Sequence, residues 1–310
     1  MKTCLFLPTA LATTGKPARP HAGRAGLKTM WAARCGTARR VGSLHFIFTS
    51  FLPALLAIVT FTASASPAQA ASEAVSVAAA ANLVHALDEL NASFRLAEPD
   101  GALTVSTGAS GNLVAQIKQG APYDVFLSAD VEYPRALIAA RQADAASLTR
   151  FASGRLVLWT VRDDLPLNSI AAAVTHPKMR KLALANLDTA PYGRAAKQCL
   201  EQLGVWEHVA PKLVVGENIT QTAQFVETGN ADLGFVAMSL VLSPRLQNRG
   251  HWVEVAGDLH GPLDHAGVLT LRGANNAAAG RYLKFLHSDA ARAVFTRFGY
   301  GYPREKDAHE

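Results

Sequence analysis

Cysteine is scarce in this chain, with three in 310 residues. Cys4 and Cys35 fall within the first 70, which leaves Cys199 alone in the other 240, so no disulfide can form there. A core of that size does not need one. Acidic residues are absent from the first 70 positions altogether. Beyond them no dense Lys/Arg cluster with interleaved aromatics occurs, which removes the electrostatic footprint of a nucleic-acid binder. There is no P-loop, no dinucleotide fingerprint and no repeat of domain-building length.

What comes first is the pattern of an exported leader. Lys2, Lys16, Arg19, Arg24, Lys28, Arg34, Arg39 and Arg40 precede an apolar run at 46–62, and SASPAQA then places Ala68 and Ala70 at small-residue positions. Basic region, apolar core and A-x-A site predict a secretory signal over 1–70, cleaved near Ala70, and a periplasmic mature protein. The basic region is long for a signal, and Met30 is a second candidate start. A membrane anchor is the competing reading, since about 18 apolar residues can span a bilayer. Pro53, the interspersed Ser and Thr, and the A-Q-A site favour cleavage. Arg39-Arg40 hints at twin-arginine export, and Ala71 rather than a cysteine after the site argues against a lipid anchor. Eight of the 30 basic residues lie in this leader, so 22 remain against 24 acidic ones, a net of −2. The basic pI of 9.3 therefore describes the leader more than the folded part.

From residue 74 onward, short apolar runs alternate with stretches of helical periodicity. Strands are expected at 74–80, 102–107, 124–130, 155–161, 181–186, 212–216, 232–238, 252–257 and 265–271, and helices at 82–94, 112–119, 134–141, 192–203, 219–228, 277–286 and 289–298. Such alternation predicts an α/β fold of two lobes, each a mainly parallel sheet flanked by helices, with a ligand cleft between them. Residues 71–156 and 254–310 are assigned to lobe one and 157–253 to lobe two.

Four helix entrances share an unusual composition, mostly of small, polar, uncharged residues, with Asp188 and Glu217 the exceptions: AAAANL (78–83), TGASGNL (107–113), DTAPYG (188–193) and GENITQT (216–222). Each follows an expected strand. A helix start carries free N–H groups and a partial positive charge, so it is a ready anion site. The candidate donors are the Asn82 amide, the Ser110 hydroxyl and N–H groups near Asn82, Gly111, Tyr192 and Ile219. Taken singly, Asn82, Ser110 and Asn218 are equally good helix N-caps, and Tyr192 is a plausible packed surface aromatic. The four entrances together point to a small oxyanion held by fixed dipoles rather than by charged side chains.

The stretches AAAANL, GASGNLVAQIKQGAPYDVFLSAD (108–130), APYGRAAKQCLEQLGVW (190–206), PKLVVGENITQTAQFVETGNADLGFV (211–236) and AVFTRFGY (293–300) resemble, in order and spacing, the periplasmic molybdate-binding proteins of ABC importers. That resemblance implies a two-lobed periplasmic-binding-protein fold and a ligand, molybdate or tungstate, with no cofactor and no enzymatic activity. It implies ligation at Ala81, Asn82, Ser110, Tyr192 and Ile219, with Ala81, Tyr192 and Ile219 acting through the backbone; molybdenum is present only within the oxyanion and has no direct protein ligand. It also implies a monomer that meets an inner-membrane permease and its ATPase. Some relatives carry Ser at the position of Asn82 and a ligating Tyr where this chain has Ala237, so the Asn82 amide is expected to replace a lost hydroxyl.

Two other readings stay open on the residues. Sulfate, phosphate or an organic acid could occupy a similar cleft; phosphate would call for a carboxylate such as Asp130 or Asp188, and an organic acid for an arginine such as Arg194, here expected to be solvated. An exported hydrolase using Ser110 is the other, because GASGN begins like a nucleophile elbow but ends in Asn rather than Gly. His251, His260 and His265 with Asp258 and Asp264 lack metal-ligand spacing and read as surface or hinge residues.

Overall fold

The computed structural model describes residues 74–99 and 102–302. The leader and its cleavage site lie outside the described residues. The described chain forms two five-stranded sheets. The first contains β1 (Val75–Ala80), β2 (Leu103–Gly108), β3 (Val125–Ser128), β4 (Thr149–Ser153) and β10 (Asp264–Leu269), in the order β2-β1-β3-β10-β4. The second contains β5 (Leu156–Thr160), β6 (Leu182–Ala185), β7 (Leu213–Gly216), β8 (Leu233–Ala237) and β9 (His251–Glu254), in the order β7-β6-β8-β5-β9. The two orders are the same pattern. In each sheet four strands run one way and one runs against them, β10 in the first and β5 in the second. Each contrary strand is the one the chain enters just after crossing from the other sheet.

Residues 154–155 and 255–263 make the two crossings, and they are tied together where Gly154 N–H donates to the Leu263 carbonyl at 2.8 Å. Leu156 and Glu254, assigned to lobe one on sequence, belong to the second sheet. Strand β4 has no counterpart among the expected elements; TRFAS alternates too weakly to announce itself.

The helices pack as their periodicity dictates. Helix α1 (Val84–Ala97) buries Ala86, Leu87, Leu90 and Phe94, the i, i+3, i+4 stripe of a core-facing helix. Helices α2 (Ser110–Lys118) and α3 (Glu132–Ala139) cover one face of the first sheet, where Leu113, Val114, Ile117 and Leu137 meet Ala78, Phe126 and Val268. The alternate residues Val77, Ala79, Val125 and Leu127 join the larger core on the opposite face, as a strand period of two requires. In the second half, α4 (Ile170–Val174) and α6 (Trp206–Val209) are short connections, while α5 (Pro191–Gln202) and α7 (Ile219–Glu227) lie against the sheet. Helix α8 (Met238–Val241) follows β8, and α9 (Ala277–Phe285) and α10 (Asp289–Arg297) close the chain.

Helix α5 starts so close to the end of β6 that position 193 admits no side chain. A Cβ there would fall within contact distance of the Ala185 and Asn186 carbonyl oxygens. We expect Gly193→Ala to destabilise the fold by about 2 kcal/mol, the scale of overpacking, and to lower Tm by roughly 4–8 °C in a thermal melt.

Candidate functional site

The site is built at strand ends. Ala80 and Gly108, the last residues of β1 and β2, are register partners. Ala185 and Gly216, the last residues of β6 and β7, are partners in the other sheet. Each of these four ends leads into one of the four entrances, so the entrances come as two side-by-side pairs. Ala81, Asn82, Ser110, Tyr192 and Ile219 all line one small pocket, together with Asn218. No side chain lining it is charged.

The entrances differ in their local chemistry. At the first, a 3-10 turn (Ala81–Leu83) precedes α1, and no side chain caps it. At the second, Ala109 holds the cap position and Ser110 is the first helical residue, so Ser110 is not a cap. Its oxygen accepts from Ala129 N–H at 3.3 Å, and among the described residues its hydrogen meets no acceptor. Pro191 opens α5, where it lacks an N–H that would have no partner anyway. Asn218 is a true cap, accepting from Thr220 and Gln221 N–H groups, which assigns it a structural role. The N–H groups of Ser110, Tyr192 and Ile219 lie in first turns without intrahelical acceptors. Among the described residues no other carbonyl takes them.

Beneath the first entrance lies a buried polar cluster that local sequence did not announce. Asn82 Nδ2 is 2.7 Å from His265 Nε2, 2.8 Å from Tyr300 Oη and 3.5 Å from Tyr192 Oη. The Asn82 backbone carbonyl accepts from Ser239 Oγ at 2.9 Å and Tyr300 Oη at 3.0 Å. The amide nitrogen expected to replace a hydroxyl is thus engaged inside the protein. His265, read on sequence as a surface or hinge residue, is fully buried beside the second crossing. A register irregularity of β10 between His265 and Ala266 places it there, and its Nδ1 lies 3.0 Å from the Leu263 carbonyl of the second crossing. Tyr192, rather than packing at the surface, is buried, with its ring 6.4 Å from that of His265. Gly154 must lack a side chain because a Cβ would collide with both rings. Tyr300 is held by reciprocal backbone bonds between Ser153 and Gly301, both at 2.8 Å. No sequence signal marks a lone strand histidine as part of a site; Tyr300 at least falls in the AVFTRFGY stretch.

The two halves touch across the pocket. Gly111 N–H donates to the Thr189 carbonyl at 2.9 Å, and Thr220 Oγ1 to the Ala81 carbonyl at 3.0 Å. Arg194, expected to be solvated, pairs with Asp130 and donates to Tyr133 Oη at 2.6 Å, above whose ring its guanidinium sits. Asp188 is exposed, so neither it nor Asp130 lines the pocket. Among the described residues Ser110 meets no histidine; its oxygen takes the Ala129 N–H instead. Among the described residues no cluster of three His, Cys, Asp or Glu could hold a metal ion.

Burial lowers the pKa of His265 to about 4, partly opposed by its bond to Leu263. The unfolded chain binds this proton near pH 6.5 and the folded protein does not, so folding loses stability as pH falls from about 6.5 to about 4. In the anion-free protein we expect this one group to cost up to about 1.4 kcal/mol per pH unit in that window. Denaturant melts at pH 7 and pH 5 should show a smaller difference for His265→Gln than for the unaltered protein.

Comparison with known proteins places this architecture. Residues 75–301 match the bacterial extracellular solute-binding protein family. The chain is 38% identical over 232 residues to the molybdate-binding protein of Rhodobacter capsulatus, covering 74% of this chain and 89% of that one. It is 38% identical over 237 residues to the molybdate-binding protein of Azotobacter vinelandii, covering 76% and 92%. The solved structure of an Azotobacter vinelandii periplasmic molybdate-binding protein superposes with a TM-score of 0.70 at 29% identity, covering 74% of this chain and all of that one. These relatives are named as binding proteins, not enzymes. With a matching sequence over most of its length and a matching fold, this chain belongs to the bacterial extracellular solute-binding proteins.

Proposed function

We propose that this protein captures molybdate, and tungstate with it, in the periplasm and hands it as a monomer to an ABC permease driven by an ATPase. The observation that carries this reading is a buried pocket that collects four helix starts and no charged side chain. A fully ionised tetrahedral anion has no proton to give an acceptor, and backbone N–H groups with the free Ser110 hydrogen suit it. The names of the relatives support molybdate in particular. The basic region, apolar run and A-Q-A site of the first 70 residues fit export.

Each hydrogen bond to the anion contributes about 1.5–3 kcal/mol, so several offset the cost of removing a dianion from water. Sulfate is smaller, and a rigid ring of donors set for the larger anion cannot touch it on all sides. Hydrogen phosphate carries a proton, and no carboxylate lines the pocket to receive it. Several hydrogen bonds cross the cleft, among them Gly111 N–H to the Thr189 carbonyl, Thr220 Oγ1 to the Ala81 carbonyl and Ser239 Oγ to the Asn82 carbonyl, and a bound anion would add its own contacts to both lobes.

Thermal unfolding with about 1 mM molybdate, tungstate, sulfate or phosphate tests the reading. Molybdate and tungstate should each raise Tm by several degrees, since a ligand at about 1,000 times its Kd adds about 4 kcal/mol, while sulfate should not. No rise with molybdate would sink it. Ser110→Ala should weaken molybdate binding by roughly 10- to 100-fold in a calorimetric titration, while the free protein stays folded with a Tm lowered by a few degrees, because Ala129 N–H loses its acceptor. Unchanged affinity would remove Ser110 from the site.

A further inference from the structure

Asn82 lines the pocket, yet its side chain offers no donor there. Tyr300 gives its one hydroxyl hydrogen to the Asn82 backbone carbonyl, so its oxygen accepts from Asn82 Nδ2 at 2.8 Å. His265 Nδ1 faces the Leu263 carbonyl, which can only accept, so Nδ1 carries the ring hydrogen. In the neutral ring Nε2 is then bare and takes the second Nδ2 hydrogen at 2.7 Å. Both amide hydrogens point into the protein. Asn82 Oδ1 is the atom left over, buried and, among the described residues, without a hydrogen-bond partner.

A carbonyl oxygen beside a bound dianion is repulsive, whereas the same amide turned end for end is a donor. Turning it brings Oδ1 against Tyr300 Oη and His265 Nε2. Tyr300 adjusts by rotating its hydroxyl, because Ser239 still serves the Asn82 backbone carbonyl. His265 cannot adjust by rotation. Its bare Nε2 would face Oδ1, acceptor against acceptor, and moving the Nδ1 hydrogen over would break the bond to Leu263. A second proton on the ring satisfies both sides.

We infer that His265 is the positioning residue for the Asn82 amide, and that the anion binds together with one proton, taken from solvent onto His265 Nε2. This rests on the oxyanion reading of the pocket. The groups facing His265 fit the role. Phe151 from β4, Tyr192 from α5 and Tyr300 after α10 surround it, with ring centroids 6.0, 6.4 and 5.2 Å away. Asn82 and the Leu263 carbonyl complete its hydrogen bonds. Neither a carboxylate nor a cation is among these partners, and burial holds both tyrosines neutral. Before the anion arrives nothing favours a charged ring; the dianion supplies the missing negative charge.

The test is calorimetric titration of the purified protein with sodium molybdate near pH 7, in HEPES and in Tris, whose ionisation enthalpies differ. The expected result is an uptake of between about half and one proton per anion, with affinity rising by up to about tenfold per unit as pH falls from 8 to 6. In His265→Gln the side-chain amide can donate to Oδ1 without titrating, so the proton count should fall to zero and the pH profile should flatten. Molybdate binding to the unaltered protein without proton uptake overturns the inference, whether or not the variant folds; so does undiminished uptake in the variant. Preference for phosphate, or no oxyanion binding by heat or by thermal shift, brings down the oxyanion reading itself, and this inference with it.

Discussion

Two strand-end pairings, Ala80 beside Gly108 and Ala185 beside Gly216, are what the rest of the structure depends on. Parallel strands that end level release their chains at the same height, so the helices that follow begin side by side. Two such pairs, one in each sheet, bring four helix starts to a single pocket. The repeated strand order gives both halves the same construction, and the bond between the two crossings at Gly154 and Leu263 ties the halves at one place.

Small residues follow from that geometry. A helix start delivers its N–H groups to a ligand only if no bulky side chain stands in the way, which is why the entrances read as Ala, Gly, Ser, Thr and Asn. The same crowding forbids a side chain at Gly193 and at Gly154. Leaving charge out of the pocket has a further consequence. An arginine would hold any anion strongly, whereas dipoles of fixed position discriminate by size and by protonation.

The buried cluster under Asn82 joins the pocket to the crossings. Leu263 accepts from both Gly154 N–H and His265 Nδ1, and His265 meets the amide of the first entrance. One carbonyl in the second crossing is therefore within two hydrogen bonds of the pocket wall. Those two bonds connect the Asn82 side chain to the place where the chain crosses between the sheets.

The alternation of strands and helices is legible in the residues because hydrophobic period is a local property, and so are the four entrances, because small polar residues after an apolar run can be read in one dimension. The family resemblance in GASGNLVAQIKQGAPYDVFLSAD was equally open to reading. Strand β4 escaped because its alternation is weak, and Leu156 and Glu254 fall in the second sheet. The long-range fold alone set the pairing of Arg194 with Asp130 across the cleft and the placing of His265 and Tyr300 beneath Asn82. Those contacts join residues 64 to 218 positions apart. No local pattern encodes such a pairing; it exists only once two sheets and a register irregularity have set the distances.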